Sequence, residues 1–220
     1  MPRSDTDGRP AAAPRSKKGA QTRARLLESA KEVFEEAGFL DARISDIAEK
    51  ASLSHGSFYH YFDSKEQIFR EVAEAREAHL TAPPADGWDD DTEPTELERL
   101  HRANLLYLER YRENGTIMGV IEEVSRYDEL VMQARIQRQK HFADRAEKAI
   151  RRLQDAGAAD PDVDPEIAAL ALGSMVARFA ELWLVDNWGD FDLETVADQL
   201  TRLWANAIGL REKNPRRTKH

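Results

Sequence analysis

No cysteine occurs in the 220 residues. Disulfide frameworks, thiolate-zinc sites and cysteine nucleophiles are thereby excluded, and the chain suits a reducing interior. No apolar run approaches the roughly 18 residues that a membrane-spanning helix needs. The opening stretch MPRSDTDGRPAAAPRSKKG carries charge without the apolar centre of a secretory signal. The expectation is a cytoplasmic protein with no membrane partner. Catalytic signatures are also missing. There is no Glu-x-x-His pair for a di-iron site, no glycine-rich phosphate loop and no nucleophile beside a base. His101 and His141 stand alone, without the spacing of a metal site. These absences predict a protein that is not an enzyme and needs neither cofactor nor metal.

What is present is an ordinary globular composition, 41% hydrophobic and 33% charged, on a chain long enough to bury a proper core. The net charge of −9 argues at first against nucleic acid. Its distribution reverses that. Residues 1–31 carry eight Lys/Arg against three carboxylates, a balance of +5, whereas residues 67–220 carry 21 basic against 30 acidic, a balance of −9. A binding footprint is a local field, so a basic front end on an acidic body remains compatible with DNA.

Every periodic stretch reads as helix. Residues 1–18 are rich in Pro, Ala, Gly and Arg and read as a disordered basic arm. From Thr22, a buried stripe of Leu26, Leu27, Ala30, Val33, Phe34 and Ala37 runs to Gly38, a left-handed stop. Ile44, Ile47, Ala48 and Ala51 form the inner face of a short second helix. After the connection Ser52-Leu53-Ser54, Ser54 caps a third helix through Tyr61. Ser64 and Gln67 have capping-box spacing for a fourth, to about Leu80. The proline-rich acidic stretch PPADGWDDDTEP (83–94) is the best internal boundary. Beyond it, helices are predicted over about 95–113, 116–125, 128–156, 165–187 and 192–210, with a basic tail over 211–220. The fold class is all-α, with about nine helices and no convincing strand.

The stretch SLSHGSFYHYFDSKEQIF holds four aromatics in five positions. On a helical wheel Phe58, Tyr61 and Phe62 share an inward arc, while His55, Gly56, Tyr59 and His60 occupy the opposite one. Two short helices joined by a tight turn form a helix-turn-helix, whose second helix lies in the DNA major groove. Hydroxyls and imidazoles can donate to phosphate oxygens, and Gly56 allows close approach to a partner. Lys65 in the first turn of the fourth helix opposes the helix dipole, a penalty that a nearby phosphate would reverse.

The ordered pattern Gly38-Phe39, Ile47-Ala48, Ala51, Leu53-Ser54, Gly56-Ser57-Phe58-Tyr59, Tyr61-Phe62 and Ser64-Lys65-Glu66 resembles the DNA-binding region of the TetR family of bacterial transcriptional repressors. The resemblance covers residues 20–70, and the rest matches only in architecture. It implies an N-terminal three-helix DNA-binding domain (19–66) and a C-terminal helical ligand-binding and dimerisation domain (67–210). It also implies roles: Ser54 caps the recognition helix, and His55, Gly56 and Ser57 meet base edges or the groove wall. Tyr59, His60 and Lys65 hold phosphates, and the Lys17-Lys18 arm adds charge. Two positions depart from the family pattern. Arg43 stands where a capping Thr or Ser is usual, and can instead reach a phosphate or a base edge. Ser52 replaces a turn glycine, which strains the chain if that turn needs a positive φ.

By the same resemblance the partners are a double-stranded operator, a second copy of the chain paired through the last two helices, and a small hydrophobic or amphipathic effector. The nearly all-round apolar 167–188 and the stripe Val196, Leu200, Leu203, Trp204 and Ile208 fit a two-fold interface. Bulky candidates for the effector pocket are Leu105, Tyr107, Leu108, Tyr111, Met118, Phe142, Met175, Phe179 and Trp183, each of which also reads as ordinary core. Arg178 and Glu181, three apart in the most hydrophobic helix, pair with each other or across the dimer, or Arg178 meets an anionic group of the effector. The function these readings favour is a ligand-responsive homodimeric repressor. The alternative is a helical DNA-binding module without an effector.

Overall fold

The computed structural model describes residues 16–82 and 94–211. The arm to residue 15, the acidic boundary over 83–93 and the tail from 212 lie outside them. Among the described residues there are nine helices and no strand: α1 (Lys17–Asp41), α2 (Ile44–Lys50), α3 (His55–Phe58), α4 (Lys65–Thr81), α5 (Glu96–Glu113), α6 (Gly115–Ser125), α7 (Glu129–Asp155), α8 (Pro165–Leu184) and α9 (Leu193–Ala207). The chain divides into two units between Ala73 and Glu74, so α4 begins in the first and ends in the second.

Local chemistry accounts for most of the helix ends. Ser16 Oγ accepts from the Gly19 N–H at 3.1 Å, which starts α1 five residues before the stripe that begins at Thr22. Lys17 and Lys18 therefore stand on the first turn of a helix rather than in a loose arm. Gly38, at φ +72°, breaks α1 where the sequence places a left-handed stop. Thr95 and Glu98 close a complete capping box at the start of α5. Asp128, Asp164 and Asp192 each accept backbone N–H groups at the starts of α7, α8 and α9, and Pro165 occupies the first turn of α8.

In the first unit, Leu26, Ala30, Val33 and Phe34 of α1 pack with Ile47 and Ala48 of α2 and with Ile68, Phe69 and Val72 of α4, all buried. Phe34, Phe39 and Phe69 form a mutual cluster, with the Phe34–Phe69 and Phe39–Phe69 centroids each 4.9 Å apart at steep angles. The second unit is built from α5 to α9 with the end of α4. Its fully buried side chains include Leu108, Ile117, Ile121, Ile150 and Ile208.

Two expectations change here. The stripe on α9 is mostly internal: Val196, Leu200, Trp204 and Ile208 are buried within the chain, and only Leu203 is exposed. Exposed apolar side chains on and between these two helices are instead Ile167 and Leu170 of α8, Leu203 of α9, and Trp188 and Phe191 in the connection. Secondly, α8 is long and apolar enough by composition to cross a membrane, with a mean hydropathy of 1.5. Arg178 and Glu181 interrupt it, so no continuous apolar run of that length stands in the sequence. Capped by Asp164 and packed along α7, it is a helix of the body.

Ser52, in the turn between α2 and α3, adopts φ +54°. A side chain there crowds the preceding carbonyl, at a cost of roughly 1–2 kcal/mol. Ser52→Gly should raise stability by up to about 1 kcal/mol in thermal or urea unfolding, the gain being reduced by the greater freedom of glycine in the unfolded chain. A lower melting temperature would contradict this account of the turn.

Candidate nucleic-acid interface and cavity

In the first unit, α3 is a single turn, His55–Phe58, continued by turn-like bonds from His60 N–H to Ser57 O and from Phe62 N–H to Phe58 O. It is shorter than the helix to Tyr61 that the sequence predicts, yet the same side chains share the same arcs. Phe58 and Phe62 are fully buried, 5.7 Å apart between centroids, and the Arg23 guanidinium lies 4.8 Å over the Phe62 ring. Arg23 is held in turn by Glu71 of α4. Tyr61 is half-buried at the edge of this anchor.

The opposite arc is open. His55, Gly56, Tyr59 and His60 are exposed, and the His55 and Tyr59 rings stand 5.3 Å apart. Ser54 caps α3, its Oγ accepting from the Ser57 N–H at 3.2 Å and lying 2.7 Å from Ser57 Oγ. A Cβ added at Gly56 would meet nothing within 4 Å. The glycine therefore serves no packing need inside the protein. Arg43 is exposed at the start of α2 and gives that helix no side-chain cap, so its guanidinium faces solvent. Lys17 and Lys18 are exposed on α1.

Lys65 does something the sequence does not announce. Its ammonium donates to the carbonyl oxygens of Phe39 (2.7 Å), Leu40 (3.0 Å) and Ala42 (2.9 Å), and lies 4.7 Å over the Phe39 ring. An ammonium has three N–H donors, and all three are engaged. Backbone carbonyls at the end of α1 thus offset the dipole penalty of a lysine at a helix start. Lys65 therefore positions the segment leading into α2. Hydrogen bonds to a charged donor contribute more than neutral ones. Lys65→Met should lower stability to urea by about 1–3 kcal/mol in the absence of any DNA, and unchanged stability would refute the bracing role.

The second unit holds a cavity of about 250 Å³ between α5, α7, α8 and the end of α9. Small residues make its walls: Ala103, Ala143, Ala146, Ala149, Ala169, Gly173 and Ala177, with Leu100, Phe142, Ile150, Leu153, Leu170 and Trp204. Of the side chains singled out from the sequence, Tyr107 and Phe142 line it, with ring centroids 5.4 Å apart. Leu108, Tyr111, Met118 and Trp183 are buried core instead. Leu105, Met175 and Phe179 are half-buried away from it, and Phe179 stacks with Trp183 and Phe191. Arg178 is exposed and bound to Glu181 at 2.5 Å, a pair three apart on α8, as one of the sequence readings has it.

Apart from Tyr107, sequence reasoning missed the polar groups in and around the cavity. Asn104 Nδ2 donates to Thr201 Oγ1 at 3.0 Å, a buried link between α5 and α9. Arg138, buried on α7, faces Glu77 near the end of α4, with Nε 2.8 Å from Oε2. Burial pushes the Glu77 carboxyl up from its ordinary range, with Arg138 opposing the shift. Burial likewise raises the Tyr107 phenol. The only sequence signal was an arginine in the alanine-rich inner face of α7. At the other end of the cavity Glu96 pairs with Arg99 (3.0 Å) and Arg152 (3.7 Å), all partly exposed. Among the described residues no group of three His, Asp or Glu is placed to hold a metal ion.

A short helix presenting polar groups from an aromatic anchor, in one chain with a helical unit around an apolar cavity, defines a DNA-binding regulator of transcription. Residues 26–72 match the family described as bacterial regulatory proteins, tetR family, and residues 93–208 match the tetracyclin repressor-like C-terminal domain. The chain belongs to the TetR family. It is 27% identical over 205 residues to the HTH-type transcriptional regulator TtgR of Pseudomonas putida, covering 84% of this chain and 95% of that protein. A local match of 49% over 55 residues, 25% of this chain and 28% of the other, links it to the regulator YdgC of Bacillus subtilis. Among solved structures it resembles NalD, described as the secondary repressor of the MexAB-OprM multidrug efflux pump in Pseudomonas aeruginosa. That likeness has a TM-score of 0.65 at 22% identity, over 88% of this chain and 99% of that one. FadR of Bacillus subtilis, solved with stearoyl-CoA, superposes with a TM-score of 0.67 at 16% identity, over 84% of this chain and 98% of that one.

Proposed function

We propose that the protein is a cytoplasmic, homodimeric repressor that binds a palindromic operator and releases it when a small, largely apolar molecule enters the cavity of the second unit. The observation that carries the DNA half of this reading is the sidedness of residues 54–62. Phe58 and Phe62 are locked inward, and the opposite face holds nothing but small, hydroxyl-bearing or imidazole side chains. In the groove, His55, Gly56 and Ser57 meet base edges or the groove wall, with Ser54 fixing the helix start. Tyr59 and His60 donate to phosphates, and Arg43, Lys17 and Lys18 add backbone charge. The exposed apolar side chains Ile167 and Leu170 of α8 and Leu203 of α9 support pairing of two chains through these helices.

Effector release rests on the cavity and on α4, whose two ends belong to the two units. A ligand that favours one position of α4 changes the separation of the two reading heads, so that they no longer suit grooves spaced by a helical turn or a multiple of it. The apolar cavity favours this over a module that has no effector.

Selection of bound genomic fragments, followed by footprinting, tests the reading. Two protected half-sites should appear, with centres about 34 Å or a multiple apart. Gly56→Ala on the same fragment separates binding from folding. It should leave stability equal or higher by up to about 1 kcal/mol, because alanine is the better helix former. It should nevertheless weaken operator binding about tenfold or more through the lost close approach. Unchanged affinity in that variant would remove α3 from the DNA interface.

A further inference from the structure

The polar atoms of the cavity are not all satisfied. The Tyr107 hydroxyl and Arg138 Nη1 are buried and have no hydrogen-bond partner among the described residues, and both residues line the cavity. Tyr107 is 3% exposed and Arg138 7%. Unpaired donors at such depth are rare in folded proteins and mark a place where an acceptor is missing. Arg138 also lines a second, more open depression together with Glu77 and Ala78 of α4. It is thus shared by the cavity and by a depression that α4 lines.

Its partner there is poorly held. Glu77 reaches Arg138 Nε as an ion pair without good hydrogen-bond direction, and Glu77 Oε1 has no partner among the described residues. The neighbouring cation Arg135 is occupied by Glu122. One guanidinium charge balances one carboxylate. A second carboxylate brought to the same buried site leaves an uncompensated charge unless the first withdraws or takes up a proton.

Resting on the effector reading above, we propose that the effector is an amphipathic carboxylate whose anionic end takes the Tyr107 hydroxyl and the Arg138 guanidinium, in competition with Glu77 of α4. The apolar remainder lies along the alanine-lined walls toward Glu96 and Arg152. Tyr107 meets Phe142 while Glu96 meets Arg152, so α5 and α7 run in opposite directions along the cavity. The eleven residues from Glu96 to Tyr107 give it a length of about 16 Å. Arg138 is then an exchangeable partner, holding α4 through Glu77 in the free protein and holding the ligand in the bound one.

Calorimetric titration of the full chain with decanoate, decylammonium and 1-decanol tests this, because the three share one apolar chain and differ in the head group. Decanoate should bind at least about tenfold more tightly than decylammonium. Tyr107→Phe removes an unpaired hydroxyl and should leave the melting temperature unchanged or higher, yet weaken decanoate about 5–10-fold. Glu77→Gln removes the competing charge and should tighten decanoate about tenfold while leaving decanol unchanged, a gain that a merely structural role for Glu77 would not produce. Equal binding of decanoate, decylammonium and decanol overturns the carboxylate class and leaves an apolar effector standing. Decanoate binding that is unaltered in Tyr107→Phe, or unaltered or weaker in Glu77→Gln, overturns the shared site. Failure of all three probes to bind removes both this inference and the effector reading on which it rests.

Discussion

The body of this protein depends on how one buried positive charge is satisfied. Arg138 sits inside a helical unit whose other inward groups are almost all apolar, and its nearest opposite charge is Glu77. Removing either partner leaves a bare charge at a depth where solvation cannot reach it, which is destabilising by roughly 3–5 kcal/mol. The pair therefore ties the end of α4 to α7. It also fixes the turn of α7 that brings Ala143, Ala146 and Ala149 to the cavity beside Phe142 and Ile150. A buried ion pair is a weak way to gain stability and a good way to specify a single arrangement that a competing charge can undo.

The reading head solves a different problem. A helix of four residues has no independent stability, since nucleating a first turn is itself unfavourable. It persists because it is clamped on three sides: Phe58 and Phe62 are buried beneath it, Ser54 caps its start, and Arg23 covers the Phe62 ring while bonded to Glu71. Lys65 adds a fourth restraint through the carbonyls of the α1–α2 connection. With packing supplied wholly from beneath, the outer face needs no large side chain. Gly56 can stay open there.

Helix existence was almost wholly legible, because caps and stripes are local. Thr95 with Glu98, Asp164 with Pro165, and Gly38 each announce an end within a few residues. The two faces of α3 were legible for the same reason, being fixed by the period of the helix. The cavity was not. Bulk drew attention to Leu108, Tyr111, Met118 and Trp183, which instead fill the core. Of the bulky candidates only Tyr107 and Phe142 line the cavity, and much of the rest of the wall is alanines and a glycine that carry no signal in a single sequence. The bracing contacts of Lys65 were hidden for a related reason. A positive charge at a helix start is legible, but the three carbonyls that answer it arrive from more than twenty residues away.

On the proposed reading, α4, which begins in the first unit and ends in the second, links occupancy of the cavity to occupancy of the operator. The linkage is reciprocal, and this makes it measurable from either end. The most direct measurement is the operator dissociation constant with and without saturating cavity ligand, set beside the ligand dissociation constant with and without operator. The account predicts that ligand weakens operator binding, and that operator weakens ligand binding by the same factor, on the order of 5–150-fold. An operator affinity that does not change when the cavity is saturated would contradict it.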